Sequence, residues 1–352
     1  MIRRMAQHFS PQIVWELITP SYPYPDELGR QMSASEKIFS RLLPTTDKST
    51  AEQVAAFSPD IVYTDSPLYG TQFKLYSYAH GNRVPVILHL RGDWWYEYWV
   101  WFRSAGWKQR ALSSQIYVYQ SLSTVLARKI TPICRWLESV VKHYVPFQDT
   151  EVVYQGVAPE EFGSEPGMTL RHPAVAIIQN HTVYAKVVGL LKFAEVVKKL
   201  PNIQFYIAEG ERVRQGFLPR VKDRFGGFHN VHFVEGVDNP LAVKRLLTAV
   251  DCYVLASGLD CCPTTVLEAS LMRKPVIASR IGGVPEIVLE NQTGWTVRND
   301  DPKTWVEKIT LALSDAQLNR KMGQAGREWV IKKFAWINIA RQVENILVSE
   351  TR

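Results

Sequence analysis

The sequence predicts an α/β protein with two doubly wound, Rossmann-like halves, and three observations predict it. Short apolar runs closed by polar turns alternate with stretches of helical periodicity along the chain. That rhythm pauses over a stretch rich in Pro, Gly and Glu (158–173) and then restarts. The chain, at 352 residues, also exceeds the size at which one hydrophobic core keeps growing.

In order, QIVWELI (12–18) reads as a strand and is followed by a Pro/Tyr loop and a helical run, RQMSASEKIFSRLL (30–43). PDIVYTDSP (59–67) and RVPVILHLRGD (83–93) each hold a short apolar strand. Residues 107–127 and 134–145 have helical spacing, and TEVVYQGV (150–157) reads as extended. In the second half the strands are AVAIIQN, IQFYIAEG, VHFVEG, DCYVLAS, PVIAS and GWTV, with VGLLKFAEVVKKL, LAVKRLLTAV and TVLEASLM as helices between them. EWVIKKFAWINIARQVENILV (328–348) reads as one long helix that returns to the first half. Alternating strands and helices imply right-handed crossovers and parallel sheets. The expected division is 1–157 with 331–352, and 158–330. In doubly wound sheets ligands sit beyond the carboxyl ends of the strands, so two such halves are expected to face an interdomain cleft.

Charged residues make up 21% and hydrophobic residues 46%, a folded and not a disordered composition. MIRRMAQHFS has no apolar core for a secretory signal, and no run nears eighteen uncharged apolar residues, so a cytoplasmic protein is expected. The four cysteines (134, 252, 261, 262) form no CxxC pair and no Cys/His set, which predicts free thiols and no metal. The net charge of +7 fits either an anionic partner or a merely basic surface.

The informative stretch is SGLDCCPTTVLEASLMRKPVIASRIGGVPEIV (257–288). A buried strand runs into GLDCCP, Pro263 suits a helix start, and TVLEASLM follows with helical spacing. First-turn N–H groups and the helix dipole make such a start a phosphate site. Asp260 precedes the helix and Glu268 lies about one turn inside it, so both acids can flank a ligand seated there. The adjacent cysteines have no second ligand pair at metal spacing, which leaves a carboxylate frame.

An acid, seven residues and a Glu on a helix, then a strand of small residues and GGVPE, resembles the donor site of retaining glycosyltransferases of family 4, which have the GT-B fold. The likeness is densest over 174–334 and fainter from about 12 to 157. It implies that 158–330 binds a nucleotide diphosphate sugar, with Glu268 on the ribose and Asp260 (Glu in most of the family) near the sugar hydroxyls. Backbone amides of Cys261, Cys262, Thr264 and Thr265 would serve the phosphates at the helix start that Pro263 opens, the two thiols packing beneath the loop. In QNHTVYAKVVG, Lys186 falls on the family's diphosphate lysine, while His181 stands in place of its arginine, either as a ligand or as a hydrogen-bonded loop histidine. Lys186, Asp260 and Glu268 are the expected catalytic residues. The resemblance implies no cofactor and no metal.

The resemblance puts the acceptor, a glycan or a lipid-linked sugar, on the first half. There Gly29 and Arg30 follow the first strand, and His89, Arg91 and Asp93 stand in HLRGDWW; Arg91 and Asp93 also fit a local ion pair. WWYEYWVWFRSAGW (94–107), with Arg103, Lys108 and Arg110, suits core packing or peripheral contact with the inner face of a membrane through 94–110. Two rivals are a sugar-nucleotide epimerase of the same fold and a nucleic-acid binder. No basic stripe interleaved with aromatics runs along one predicted helix, so nucleic acid is not expected as a partner.

Overall fold

The computed structural model describes residues 5, 8–10, 13, 56–64, 76, 78–93, 95–96, 114, 117–118, 121–163, 165–181, 183–208, 216–237 and 239–351. The expected strand at 12–18 and helix at 30–43 lie outside these, apart from Ile13, as do Gly29, Arg30, Trp94 and 97–113.

By their contacts the residues fall into two compact units. One holds the described residues through Pro132, Val140–Val153 and those from Ala340 onward; the other holds Ile133–Ser139 and Tyr154–Ile339. In the first unit β1 (Val62–Thr64), β2 (Val86–Leu90) and β3 (Lys129–Pro132) pair in parallel in that order, with Leu88 opposite both Thr64 and Ile130. β2 (VILHL) is buried at every position, as expected of a strand covered on both faces, His89 being its one polar residue. Helix α1 (Arg135–Tyr144) follows, Arg135–Ser139 counted with the second unit and Val140–Tyr144 with the first.

The second unit is a six-stranded parallel sheet: β4 (Ala174–Ile177), β5 (Gln204–Ala208), β6 (Val231–Val234), β7 (Cys252–Leu255), β8 (Val276–Ser279) and β9 (Gly294–Val297), in the order β6-β5-β4-β7-β8-β9. The chain builds outward from β4 to β6, then returns to lay β7 on the other side of β4. That reversal opens a crevice at the carboxyl ends of β4 and β7. The crossovers include α2 (Tyr184–Lys198), α3 (Leu218–Phe225), α4 (Pro240–Ala249) and α5 (Thr264–Leu271). Val187, Leu190, Phe193, Ala194 and Val197 give α2 its buried stripe at helical spacing. The core they enter holds Phe205, Trp295 and Trp305, with Phe193 edge-on to Trp305 at 5.1 Å.

The carboxyl end differs from the single long helix expected. It forms α6 (Pro302–Ser314), α7 (Ala316–Phe334) and α8 (Trp336–Glu350), the first two started by Asp301 and Asp315 accepting the N–H of Thr304 and Leu318. Ala335 separates α7 from α8 in an extended conformation (φ −63°, ψ 139°). Val157 causes the break: its N–H donates to the Phe334 carbonyl at 2.8 Å and its carbonyl accepts the Trp336 N–H at 2.9 Å. The Trp336 ring lies on Gly156, where a Cβ would come within 2.2 Å of it.

Of the aromatic segment, Trp95 is buried and stacks on Tyr144 at 4.7 Å, while Tyr96 is exposed. Trp95 is therefore a core residue. No helix among the described residues is long and apolar enough to cross a membrane.

Candidate active site

The sequence-predicted donor residues gather at the β4/β7 crevice of the second unit. Two glycines set their spacing. A Cβ on Gly189 would lie 2.3 Å from the Ser257 carbonyl carbon, and one on Gly258 would lie 2.2 Å from the Ala185 carbonyl oxygen. Only a pair of glycines lets α2 press onto the loop after β7 this closely. The Gly258 N–H then donates to the Lys186 carbonyl at 3.0 Å. As a result the Lys186 Nζ reaches Asp260 Oδ2 at 3.0 Å, in a pair whose side chains are 24% and 11% exposed.

The loop itself is fixed from β7 and β8. The Ser257 hydroxyl donates to the Leu259 carbonyl, and the Ser279 hydroxyl accepts the Ser257 N–H at 3.0 Å. Asn299 donates to the Ser257 carbonyl at 2.8 Å. Pro263 stands one residue before α5 and Thr264, its first residue, is exposed. Tyr253 pins Thr265: its hydroxyl donates to the Ile178 carbonyl at 2.8 Å and shares a 2.7 Å bond with the Thr265 hydroxyl. Burial keeps this phenol neutral, far above the usual tyrosine range, and the charges of Asp260 and Glu268 push the same way. Glu268 is half-buried on α5. Nothing in the local pattern around Tyr253 marks it as a site residue.

Cys261 and Cys262 are buried free thiols, as are Cys134 and Cys252. A hydrogen bond with Cys134, then burial, holds the Cys261 thiol protonated; burial does the same for Cys262. His181 is buried with its Nε2 bonded to the Ala208 carbonyl at 2.8 Å, the geometry of a hydrogen-bonded loop histidine. Among the described residues no group of three or more His, Cys, Asp or Glu could hold a metal ion.

In the first unit His89 is fully buried, bonded through Nδ1 to the Thr131 hydroxyl at 3.1 Å and stacked on Tyr63. Burial, then the nearby Arg91 charge, lowers its pKa to about 3. Arg91 is exposed. Asp93 is buried and caps the turn that follows, accepting the Tyr96 N–H at 3.0 Å, while burial raises its carboxyl.

The family model described as Glycosyl transferases group 1 matches residues 174–329. The chain is 36% identical over 148 residues to a GDP-mannose-dependent alpha-(1-6)-phosphatidylinositol monomannoside mannosyltransferase of Mycolicibacterium smegmatis, covering 40% of this chain and 38% of that protein. It is 28% identical over 197 residues to an alpha-maltose-1-phosphate synthase of the same species, covering 52% of this chain and 49% of that one. The chain therefore matches about half or less of the length of these relatives. Among solved structures it resembles Anabaena Alr3699/HepE in complex with UDP (TM-score 0.65, 15% identity, 85% of this chain and 82% of that chain). It also resembles the sucrose-phosphate synthase of Thermosynechococcus elongatus (TM-score 0.66, 15% identity, 85% and 75%). These likenesses show the fold, GT-B, with its two parallel α/β units.

Proposed function

We propose, from the membership of residues 174–329 in the group 1 glycosyl transferases, that the chain is a retaining glycosyltransferase. It moves a hexose from a nucleotide diphosphate sugar to a glycan or lipid-linked acceptor and needs no metal. The observation that carries this is the Lys186–Asp260 pair beside the start of α5, at the crevice where a parallel sheet reverses. Structural neighbours bound to UDP and UDP-glucose, and a GDP-mannose-dependent relative, support a nucleotide-sugar donor.

In this reaction the bond between the anomeric carbon and the phosphate oxygen breaks as the bond to the acceptor oxygen forms on the same face. The acceptor proton passes to the departing phosphate. Negative charge grows on the diphosphate, where Lys186 supplies a cation and the first turn of α5 supplies the positive end of a helix dipole. Asp260 holds Lys186 in place before the donor arrives and is placed to bind sugar hydroxyls; Glu268 binds the ribose. His181, committed to Ala208, supports the loop between β4 and α2.

A panel of UDP- and GDP-sugars tests the proposal. One donor should raise the melting temperature and be turned over in EDTA with retention of anomeric configuration. Epimerised nucleotide sugar with no acceptor present would favour the epimerase reading.

A further inference from the structure

The GGVPE segment carries a glutamate that the donor reading leaves without a task. We propose that Glu286 is a positioning residue for Asp260, acting through the backbone on which the Asp260–Cys262 loop rests; this inference rests on the donor-site reading above.

The loop lies on three shelves, all in the second unit. The first is the glycine pair. Gly282 adopts φ +47°, and a Cβ there would lie 2.0 Å from the Asp260 carbonyl oxygen; a Cβ on Gly283 would lie 2.1 Å from that of Cys261. The Gly283 N–H also donates to the Asp260 carbonyl at 3.3 Å. The second shelf is Cys134, whose thiol is hydrogen-bonded to that of Cys261 and whose Cβ and Sγ would each be 2.7 Å from a Cβ on Gly283. The third is Gln155, whose backbone N–H donates to the Cys262 thiol.

One carboxylate ties the three together. Glu286 Oε2 accepts the Arg135 N–H at 3.0 Å and the Tyr154 hydroxyl at 2.8 Å, and Oε1 accepts the Trp136 N–H at 2.9 Å. Arg135 and Trp136 adjoin Cys134, Tyr154 adjoins Gln155, and Glu286 ends the turn that starts with the glycines. Burial, then the bond to Glu286, keeps the Tyr154 phenol protonated and so a donor. Lys333 lies 4.4 Å over the Tyr154 ring and closes the group from α7. Three donors converge on this side chain, so it must be an acceptor at both oxygens. A carboxylate meets that need, whereas an amide would turn an NH2 group against a donor. Among the described residues Glu286 bonds to the backbone of Arg135 and Trp136 and to Tyr154, so its effect on chemistry is argued to pass through Asp260.

Glu286→Gln, Tyr154→Phe and Asp260→Asn test this with UDP-glucose and GDP-mannose, using whichever is turned over. Glu286→Gln should lower kcat about tenfold while the Kd of the product, UDP or GDP, changes less than threefold. In the Asp260→Asn background it should cost less than twofold more, because coupled residues are not additive. Tyr154→Phe removes one of three donors and should show a smaller version of the same pattern; it carries the test if Glu286→Gln does not fold. A second arm needs no turnover. N-ethylmaleimide labelling of native protein, mapped by mass spectrometry, should show Cys261 protected in the wild type and labelled at least tenfold faster in Glu286→Gln. Equal loss in both Asp260 backgrounds, or unchanged protection of Cys261, would overturn the proposal. If neither sugar is turned over, the donor found in the UDP- and GDP-sugar panel replaces them; if no sugar of that panel is bound or turned over by the wild type, the donor reading fails, and the labelling arm still decides the role of Glu286.

Discussion

Gly258→Ala puts one methyl group where α2 meets the loop after β7. The new Cβ would lie 2.2 Å from the Ala185 carbonyl oxygen and 2.3 Å from Val188 Cγ1. The first of these atoms is helix backbone, so relief requires α2 and the loop to separate by about 1 Å. Overpacking of this kind costs about 1–3 kcal/mol. At roughly 2–4 °C per kcal/mol for a unit of this size, the melting temperature should fall by about 2–12 °C. Activity should fall further than stability. The Gly258 N–H holds the Lys186 carbonyl, and Lys186 in turn reaches Asp260, so the separation moves the site itself. A misplacement of about 1 Å costs on the order of a hundredfold in rate. The control is Gly227→Ala, where a Cβ would meet no atom within 4 Å and stability should stay within about 0.5 kcal/mol. Thermal melts and donor turnover of both variants decide the matter. Equal melting and full turnover in Gly258→Ala would refute the claim that this close approach sets the Lys186–Asp260 distance.

Two further outcomes follow from side chains. His89 has a folded pKa of about 3 against 6.5 unfolded, so between these values the unfolded chain binds a proton that the folded one refuses. Stability is complete above pH 6.5 and falls as the pH drops toward 3, by up to about 1.4 kcal/mol per pH unit. His89→Gln should flatten that slope in melts from pH 7.5 to 5; taking the difference between the two proteins removes the opposite effect of Asp93, whose carboxyl burial raises. Glu268→Gln should shrink the rise in melting temperature given by the donor, because a neutral amide accepts a weaker ribose hydrogen bond. An undiminished rise would remove Glu268 from the donor site.

Much of the second unit was legible because its strands other than β6 are largely buried on both faces. PVIAS and DCYVLAS read as strands, and Val276–Ser279 and Cys252–Leu255 are buried throughout. The candidate site was legible because Lys186, Asp260 and α5 each follow a strand end. The strand order was not, since nothing in a strand's own residues states its neighbour. Long-range backbone contacts were equally silent. Gly282 and Gly283 are explained by carbonyls more than twenty residues earlier, and the helix break at Ala335 by Val157. Neither Ala335 nor its neighbours is a Pro or Gly, so local propensity favoured one helix. Leu218–Phe225 escaped notice because it is short and buries only Leu218, Val221 and Phe225.

The central claim is that Lys186 neutralises a leaving diphosphate, and steady-state kinetics of Lys186→Ala test it most directly. With the donor identified by thermal shift, kcat should fall about a hundredfold or more while donor KM rises only a few-fold, because the cation matters most as charge develops. A rise in KM with kcat unchanged, or full activity without the amine, would contradict it.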